Sequence, residues 1–196
     1  MKKPAAIILA GGDGRRLGGI EKALVFLNGR KLIDHTLERL KPQSGKIALS
    51  LRVHKPWADD YNLPVVLDRP TPDVGPLGGI AASLLWATSL TPAPSWVVTV
   101  PVDIPFLPST LIERLTATDG DIAVAHSKGR THHVVAAWRP YLVDPLVDAL
   151  SPGAIAIHEF QSQYNVVDIE WKAETVDPFF NINTPSDLAE AEQHLV

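Results

Sequence analysis

An apolar run, Ala5 to Leu9, passes directly into Ala10-Gly11-Gly12-Asp13-Gly14-Arg15-Arg16-Leu17-Gly18-Gly19-Ile20-Glu21-Lys22. A strand that empties into a glycine-rich, basic turn constrains the fold more than any other segment, because such a turn belongs at the carboxyl edge of an α/β sheet. Gly11, Gly12 and Gly14 let the backbone take conformations closed to residues with a Cβ and bring N–H groups close to an anion. Arg15, Arg16 and Lys22 supply positive charge. Five glycines, two arginines and a lysine within residues 11–22 point to a nucleoside triphosphate, against the blander reading of a solvated turn that needs only flexibility. The loop is not a Walker loop, since Gly19 is followed by Ile20, Glu21 and Lys22 and no Gly-Lys-Ser/Thr closes it. The alternating glycines of the dinucleotide fingerprint are also missing.

With 196 residues the chain is long enough for one domain with a sizeable core. Hydrophobic residues make up 45% and charged residues 20%, and no apolar run approaches the roughly 20 residues of a membrane span. The segment before the glycine loop is too short for a signal-peptide core, so the expectation is a cytoplasmic protein without membrane contact. The sequence holds no cysteine, which excludes disulfides, thiolate metal sites and cysteine nucleophiles. A formal charge of −4 argues against nucleic acid as a partner.

Strand-like runs stand at Ala5 to Leu9, Ile47 to Val53, Val65 to Leu67, Trp96 to Val100, Ile122 to Ala125, Val134 to Trp138 and Tyr164 to Ile169. Helical spacing of apolar residues is found over 31–40 and from Gly79 to Leu90. The alternation predicts an α/β fold with a largely parallel sheet. Thr184, Pro185 and Asp187 form a helix start resembling a capping box, ahead of an Ala/Glu-rich helix expected to dock on the domain.

The run from Trp96 to Val100 leads to Pro101-Val102-Asp103-Ile104-Pro105, which aims Asp103 at the crevice that holds the glycine loop. Two readings of Asp103 stand: a hard oxygen ligand for Mg²⁺ beside a triphosphate, or a cap for the helix that begins near Pro108, where Ser109 is better placed. Gly75-Pro76-Leu77-Gly78-Gly79, at the end of a proline-rich connector from Arg69 to Pro76, either brings backbone to a base or sugar or makes a tight start to a packed helix. His126, His132, His133 and His158 lack metal-ligand spacing, and the five tryptophans are scattered as core residues are.

Taken together, these segments resemble the molybdenum cofactor guanylyltransferases, of the glycosyltransferase-A-like nucleotidyltransferase superfamily. The resemblance covers nearly the whole chain. Residues 9–22 are similar to the family's Leu-Ala-Gly-Gly and Arg-Met-Gly-Gly pattern with its closing lysine, with Leu17 for Met and Glu21 for Asp. Leu27-Asn28-Gly29, Leu32, His35, Pro42-Gln43, Asp68, Gly75-Pro76-Leu77, Pro101 to Pro105 and Asn181-Ile182-Asn183-Thr184-Pro185 follow in family order. Departures are Leu49-Ser50-Leu51-Arg52, where the family carries an asparagine, Val102 for a cysteine, His132-His133 for His-Pro, and no basic residue near Gly153-Ala154.

The resemblance implies a three-layer α/β fold of the nucleotide-diphospho-sugar transferase type, with a mostly parallel sheet and a Rossmann-like nucleotide-binding half. Residues 1–196 would form one nucleotidyltransferase domain, with 1–110 binding nucleotide and 111–196 the acceptor. It implies that GTP is contacted by Leu9, Ala10, Gly11 and Gly12, by Lys22 on the phosphates, by Asp68 near the nucleoside and by Asp103 through Mg²⁺. Asp68 rests on the resemblance alone, since a turn former would look the same. The second substrate would be molybdopterin, with Asn181 and Asn183 in the matching motif and His132 either facing it or packed in the core. The implied reaction is attack of the acceptor's terminal phosphate on the α-phosphorus of GTP. A phosphate is already ionised, so alignment and charge neutralisation by Arg16, Lys22 and Asp103-bound Mg²⁺ would carry catalysis without a general base. Cofactor-synthesis proteins and apo-molybdoenzymes are the implied protein partners. The alternatives are a cytidylyl or nucleotide-sugar transferase of the same fold, less favoured because the cytidylyl relatives read Leu-Ala-Ala-Gly, and a nucleotide-binding partner without catalysis.

Overall fold

The computed structural model describes residues 3–12, 14–68, 75–150, 155–173 and 175–195. In chain order the elements are β1 (Ala5–Leu9), β2 (Phe26–Leu27), β3 (Arg30–Lys31), α1 (Leu32–Leu40), β4 (Lys46–Leu51), β5 (Val65–Leu67), α2 (Pro76–Thr88) and β6 (Val97–Pro101). They continue with α3 (Leu111–Thr116), β7 (Ile122–Ser127), β8 (Arg130–Trp138), α4 (Val143–Leu150), α5 (Ile157–Gln161), β9 (Val166–Trp171) and α6 (Pro185–Gln193). Among the described residues seven strands form one sheet, in the order β5-β4-β1-β6-β8-β7-β9.

Each strand expected from apolar patterning is present, and the sheet is mostly parallel. β1 lies between β4 and β6, parallel to both, and is buried on both faces, as its unbroken Ala-Ala-Ile-Ile run requires. The faces sort by alternation: Ala6 and Ile8 point to the layer that holds α1 and α3, while Ile7 points to α2 and α4. The result is three layers. A smaller apolar cluster, Leu17, Val25, Leu27, Leu32, Ile182 and Ala191, joins α6 to the β2–β3 hairpin and docks the C-terminal helix as expected.

β8 runs antiparallel to both of its neighbours. Its cause is local. Lys128 and Gly129 have φ of 48° and 72°, and this two-residue turn pairs Ser127 with Arg130, so β7 and β8 form a hairpin. Pairing of β6 with β8 stops at Thr99 and Ala136, and on the β7 side the register jumps from Val124–Ala136 to Ala125–His132. His133, Val134 and Val135 thus bulge from the ladder. β6 and β8 part at that point, and the gap opens toward the carboxyl ends of the parallel strands.

The segment after Asp103 corrects one expectation. The N-cap of α3 is Thr110, whose side chain makes no capping bond. The Ile112 N–H is instead capped from outside by Gln43 Oε1 at 3.0 Å, while Gln43 Nε2 donates to the Pro108 carbonyl at 2.9 Å. A distant amide does the work that position alone gave to Ser109 or Asp103. Asp103 is thereby free of a capping role.

Candidate active site

A cavity of about 450 Å³ lies at the carboxyl ends of β5, β4, β1 and β6 and extends along the inner wall of β8. That volume is within the range of small-molecule sites. Leu9, Gly11 and Gly12 come from the end of β1, Ser50 from β4 and Arg52 from just past it, and Asp68 from just past β5. Val102 and Asp103 follow β6, Arg130 to Val135 come from β8, and Asn181 and Asn183 from the approach to α6.

At its floor Lys22 Nζ donates to Asp103 Oδ2 and to Asn183 Oδ1, each at 2.5 Å. Three separate devices set these groups. Val102 N–H bonds the Leu9 carbonyl and Thr36 Oγ1 donates to the Val102 carbonyl, so the turn carrying Asp103 is pinned to β1 and α1. The Asp103 carbonyl accepts from Ile182 N–H at 3.0 Å, which lays the Asn181-Ile182-Asn183 segment beside it. Asp187 Oδ2 then accepts from the N–H groups of Asn183 and Thr184, both at 2.9 Å, and Thr184 Oγ1 accepts from Asp187 N–H. The expected capping box of α6 is therefore also the clamp that holds Asn183 against Lys22.

Two oxygens in this wall are buried and without a hydrogen-bond partner among the described residues: Asp103 Oδ1 and Asn181 Oδ1. Buried polar atoms are nearly always paired, so an orphaned carboxylate oxygen and an orphaned amide oxygen in one cavity suit a hard cation, which takes oxygen ligands. Burial pushes the Asp103 carboxyl above the usual carboxylate range, against the pull of the Lys22 ammonium. Among the described residues no group of three or more His, Cys, Asp or Glu side chains could hold a metal by itself.

On the opposite flank Ser50 Oγ donates to Asp68 Oδ1 at 2.8 Å, and Asp68 N–H bonds the Leu51 carbonyl. Burial raises the Asp68 carboxyl above its ordinary value, opposed by the Ser50 hydroxyl and the Arg52 charge. Gly79 closes this flank: a Cβ there would lie 2.7 Å from Ser50 Oγ and 3.2 Å from Asp68 Oδ1. The first turn of α2 can approach only because that position is glycine, which joins the two readings of the Gly75 to Gly79 turn.

The structure thus brings Leu9, Gly11, Gly12, Lys22, Asp68, Asp103, His132, Asn181 and Asn183 to one cavity. Ala10 stands behind the wall, buried, with its N–H spent on the Ser50 carbonyl at 2.9 Å. Arg16 is exposed on the 3₁₀ turn Arg15–Leu17 and does not line the cavity. Asp13, the Arg15 side chain, residues 69–74 of the proline-rich connector, and Gly153 with Ala154 lie outside what is described.

Sequence reasoning missed Ser50, Arg52 and Arg130 as lining residues. The signal for the first two was present: in β4, Leu49 and Leu51 point to the core, so Ser50 and, directly past the strand, Arg52 face the other way. A further trio, His132, Ser127 and Asp177, has the residue types of a hydrolytic triad in the wrong order. Ser127 is fully buried and donates its proton to Asp177 Oδ1 at 2.7 Å, with His132 Nε2 2.8 Å from the same hydroxyl. A serine in the middle position, shielded from solvent, is no nucleophile.

Residues 6–164 match the family model described as the MobA-like NTP transferase domain. The chain belongs to that family. Among its MobA-like relatives, the molybdenum cofactor guanylyltransferase of Rhodopseudomonas palustris (strain HaA2) is 43% identical over 96% of this chain and 91% of the relative. The protein of the same name from Bradyrhizobium sp. (strain ORS 278) is 40% identical over 95% of this chain and 91% of its own length. The crystal structure of molybdopterin-guanine dinucleotide biosynthesis protein A from Archaeoglobus fulgidus superposes with a TM-score of 0.79 at 27% identity, covering 97% of this chain and 98% of that one.

Proposed function

We propose that this MobA-like chain transfers GMP from GTP to the terminal phosphate of molybdopterin, giving molybdopterin guanine dinucleotide and pyrophosphate. The bond formed joins an acceptor phosphate oxygen to the α-phosphorus, and the bond broken is the one from that phosphorus to the leaving pyrophosphate. The observation that carries this reading is the Lys22–Asp103–Asn183 knot on the floor of a cavity that receives the ends of four parallel strands, in a chain so close to named guanylyltransferases.

GTP enters along β1. The Gly11 and Gly12 N–H groups take no backbone partner among the described residues and face its phosphates. Leu9 and Ala10 shape that edge, and Asp68, held by Ser50, receives the nucleoside. An ammonium has three donors, and Lys22 uses two on Asp103 and Asn183 among the described residues, so a third can meet a phosphate oxygen without breaking the knot. Asp103 Oδ1 and Asn181 Oδ1 would hold Mg²⁺, whose contribution is to neutralise charge on the phosphate oxygens. We assign the departing pyrophosphate to Arg16, which stands on the exposed lip of the loop outside the cavity lining.

Molybdopterin lies along β8, against His132, with Arg130 as the cation on that side. Its phosphate is ionised at neutral pH, so no proton need be removed from the nucleophile, and the shielded Ser127 fits a site with no general base. We place the reaction in the cytoplasm, in keeping with a cysteine-free sequence, with the product passing to apo-molybdoenzymes alongside other cofactor-synthesis proteins.

Incubation with molybdopterin and Mg²⁺, offering GTP, CTP and ATP in parallel, tests the proposal. Dinucleotide from GTP alone is the expected result. Product from CTP would assign the chain to cytidylyl transfer, and GTP binding without product would make it a non-catalytic partner.

A further inference from the structure

The inner wall of β8 presents two adjacent histidines, and each has its ring protonation dictated by buried partners. Asp177 Oδ1 accepts from the Phe179 N–H at 3.0 Å and from Ser127 Oγ at 2.7 Å, so that oxygen is committed as an acceptor. The single hydroxyl proton of Ser127 is spent on it. His132 Nε2, 2.8 Å from Ser127 Oγ, can then make its bond only by donating, which leaves Nδ1 of a neutral ring as a bare lone pair. Burial also lowers the His132 pKa, which favours the neutral ring.

His133 is fixed in the opposite sense. Gln161 Nε2 donates to the His133 carbonyl at 3.1 Å, which orients the amide so that Gln161 Oε1 lies 2.6 Å from His133 Nδ1. That nitrogen must carry the proton, so it is Nε2 that serves as acceptor whenever the ring is neutral. Gln161 is itself 2% exposed, so the arrangement is built into the core and not into a mobile surface. Both residues line the cavity, and the Phe179 ring lies 4.9 Å from that of His132.

We propose that Ser127 and Asp177 are positioning residues that lock His132 as the Nε2–H tautomer, so that this wall offers acceptor nitrogens to a second substrate with an N–H donor edge. The inference rests on the acceptor running along β8. It explains why three polar residues are kept together in a part of the molecule where apolar packing would otherwise serve: removing the serine hydroxyl removes the information about which ring nitrogen is protonated, while the fold needs little of it.

Imidazole ¹⁵N NMR of the histidine-labelled protein tests the lock, paired with steady-state kinetics of GMP transfer. Wild type should show His132 with Nδ1 unprotonated. Ser127→Ala should give a mixture of tautomers, and Asp177→Ala, which removes the acceptor and frees the Ser127 hydroxyl to donate to the ring, should move His132 toward the Nδ1–H form. Both variants should raise the acceptor KM about tenfold, the worth of one hydrogen bond, with the GTP KM unchanged. A wild-type Nδ1–H ring would overturn the proposal, as would an altered tautomer with an unaltered acceptor KM. Failure of the wild type to transfer GMP would sink the activity reading by itself, and the tautomers of wild type and Ser127→Ala would still decide the lock.

Discussion

Lys22 Nζ sits 2.5 Å from Asp103 Oδ2, joining the glycine loop to the end of β6 across 81 residues of sequence. The ammonium does two jobs there: it fixes one carboxylate oxygen, while the other has no partner among the described residues, and it stands on the cavity floor with a donor to spare. Lys22→Met keeps the length of the stem and removes both. Transfer should fall on the order of 10²-fold or more in kcat, as for loss of one preorganised charge-stabilising donor, and rapid-quench kinetics would check it. Arg16→Ala, on the exposed lip, should cost less than Lys22→Met in the same assay.

Asp68 should show function and stability pulling apart. Burial raises its carboxyl above the unfolded value, so between the unfolded value and the raised one the native state holds more protons than the unfolded chain. Stability from this group therefore declines as pH rises through that window, and at neutral pH the ionised carboxylate is a cost. Asp68→Asn stays able to accept the Ser50 hydroxyl bond and loses the charge. Its melting temperature should equal or exceed that of wild type, while GTP affinity measured by calorimetry should drop roughly tenfold or more, as expected when a charged hydrogen-bond partner is lost.

The loop closes at a glycine that tolerates no side chain. A Cβ on Gly14 would lie 1.8 Å from the Ile20 carbonyl oxygen, and the Gly14 carbonyl accepts from the Leu17 and Gly19 N–H groups. Gly14→Ala must open that turn and shift Lys22, two residues beyond Ile20. Overpacking of this kind costs about 1–3 kcal/mol, and transfer should be lost while circular dichroism keeps the wild-type spectrum.

His132 gives the fold a pH dependence of opposite sign to that of Asp68. Burial is the leading cause of its lowered pKa. In the window between that value and the ordinary one of about 6.5, the unfolded chain binds more protons than the native state, so stability rises with pH. The contribution is complete above about pH 6.5 and is lost as pH falls through the folded value. Thermal melts from pH 8 to pH 5 should show this fall, and His132→Gln should flatten it.

Much of the fold was legible because parallel strands buried on both faces write themselves as unbroken apolar runs, as Ala5 to Leu9 does. The Thr184–Asp187 capping box was equally plain, since its signals are adjacent in sequence. The polarity of β8 was harder, because it hangs on the Lys128-Gly129 turn inside what apolar patterning leaves as a gap. In the site, the loop, Lys22 and Asp103 were readable from chemistry and position, whereas Asp68 needed a family pattern. What no local pattern could supply was pairing at a distance: Gln43 capping α3, Lys22 meeting Asn183 across 161 residues, and Ser127 meeting Asp177 across 50. The orphaned oxygens of Asp103 and Asn181 belong to the same class, being defined by the absence of a partner in three dimensions.

The most direct test of the Asp103-centred site is single-turnover transfer from α-labelled GTP to molybdopterin in the presence of Mg²⁺, with wild type and Asp103→Ala compared at saturating nucleotide. Labelled dinucleotide from wild type and a loss of about 10²-fold or more in the variant, with GTP still bound, is the predicted result. Transfer by Asp103→Ala at a rate close to that of wild type would contradict the account.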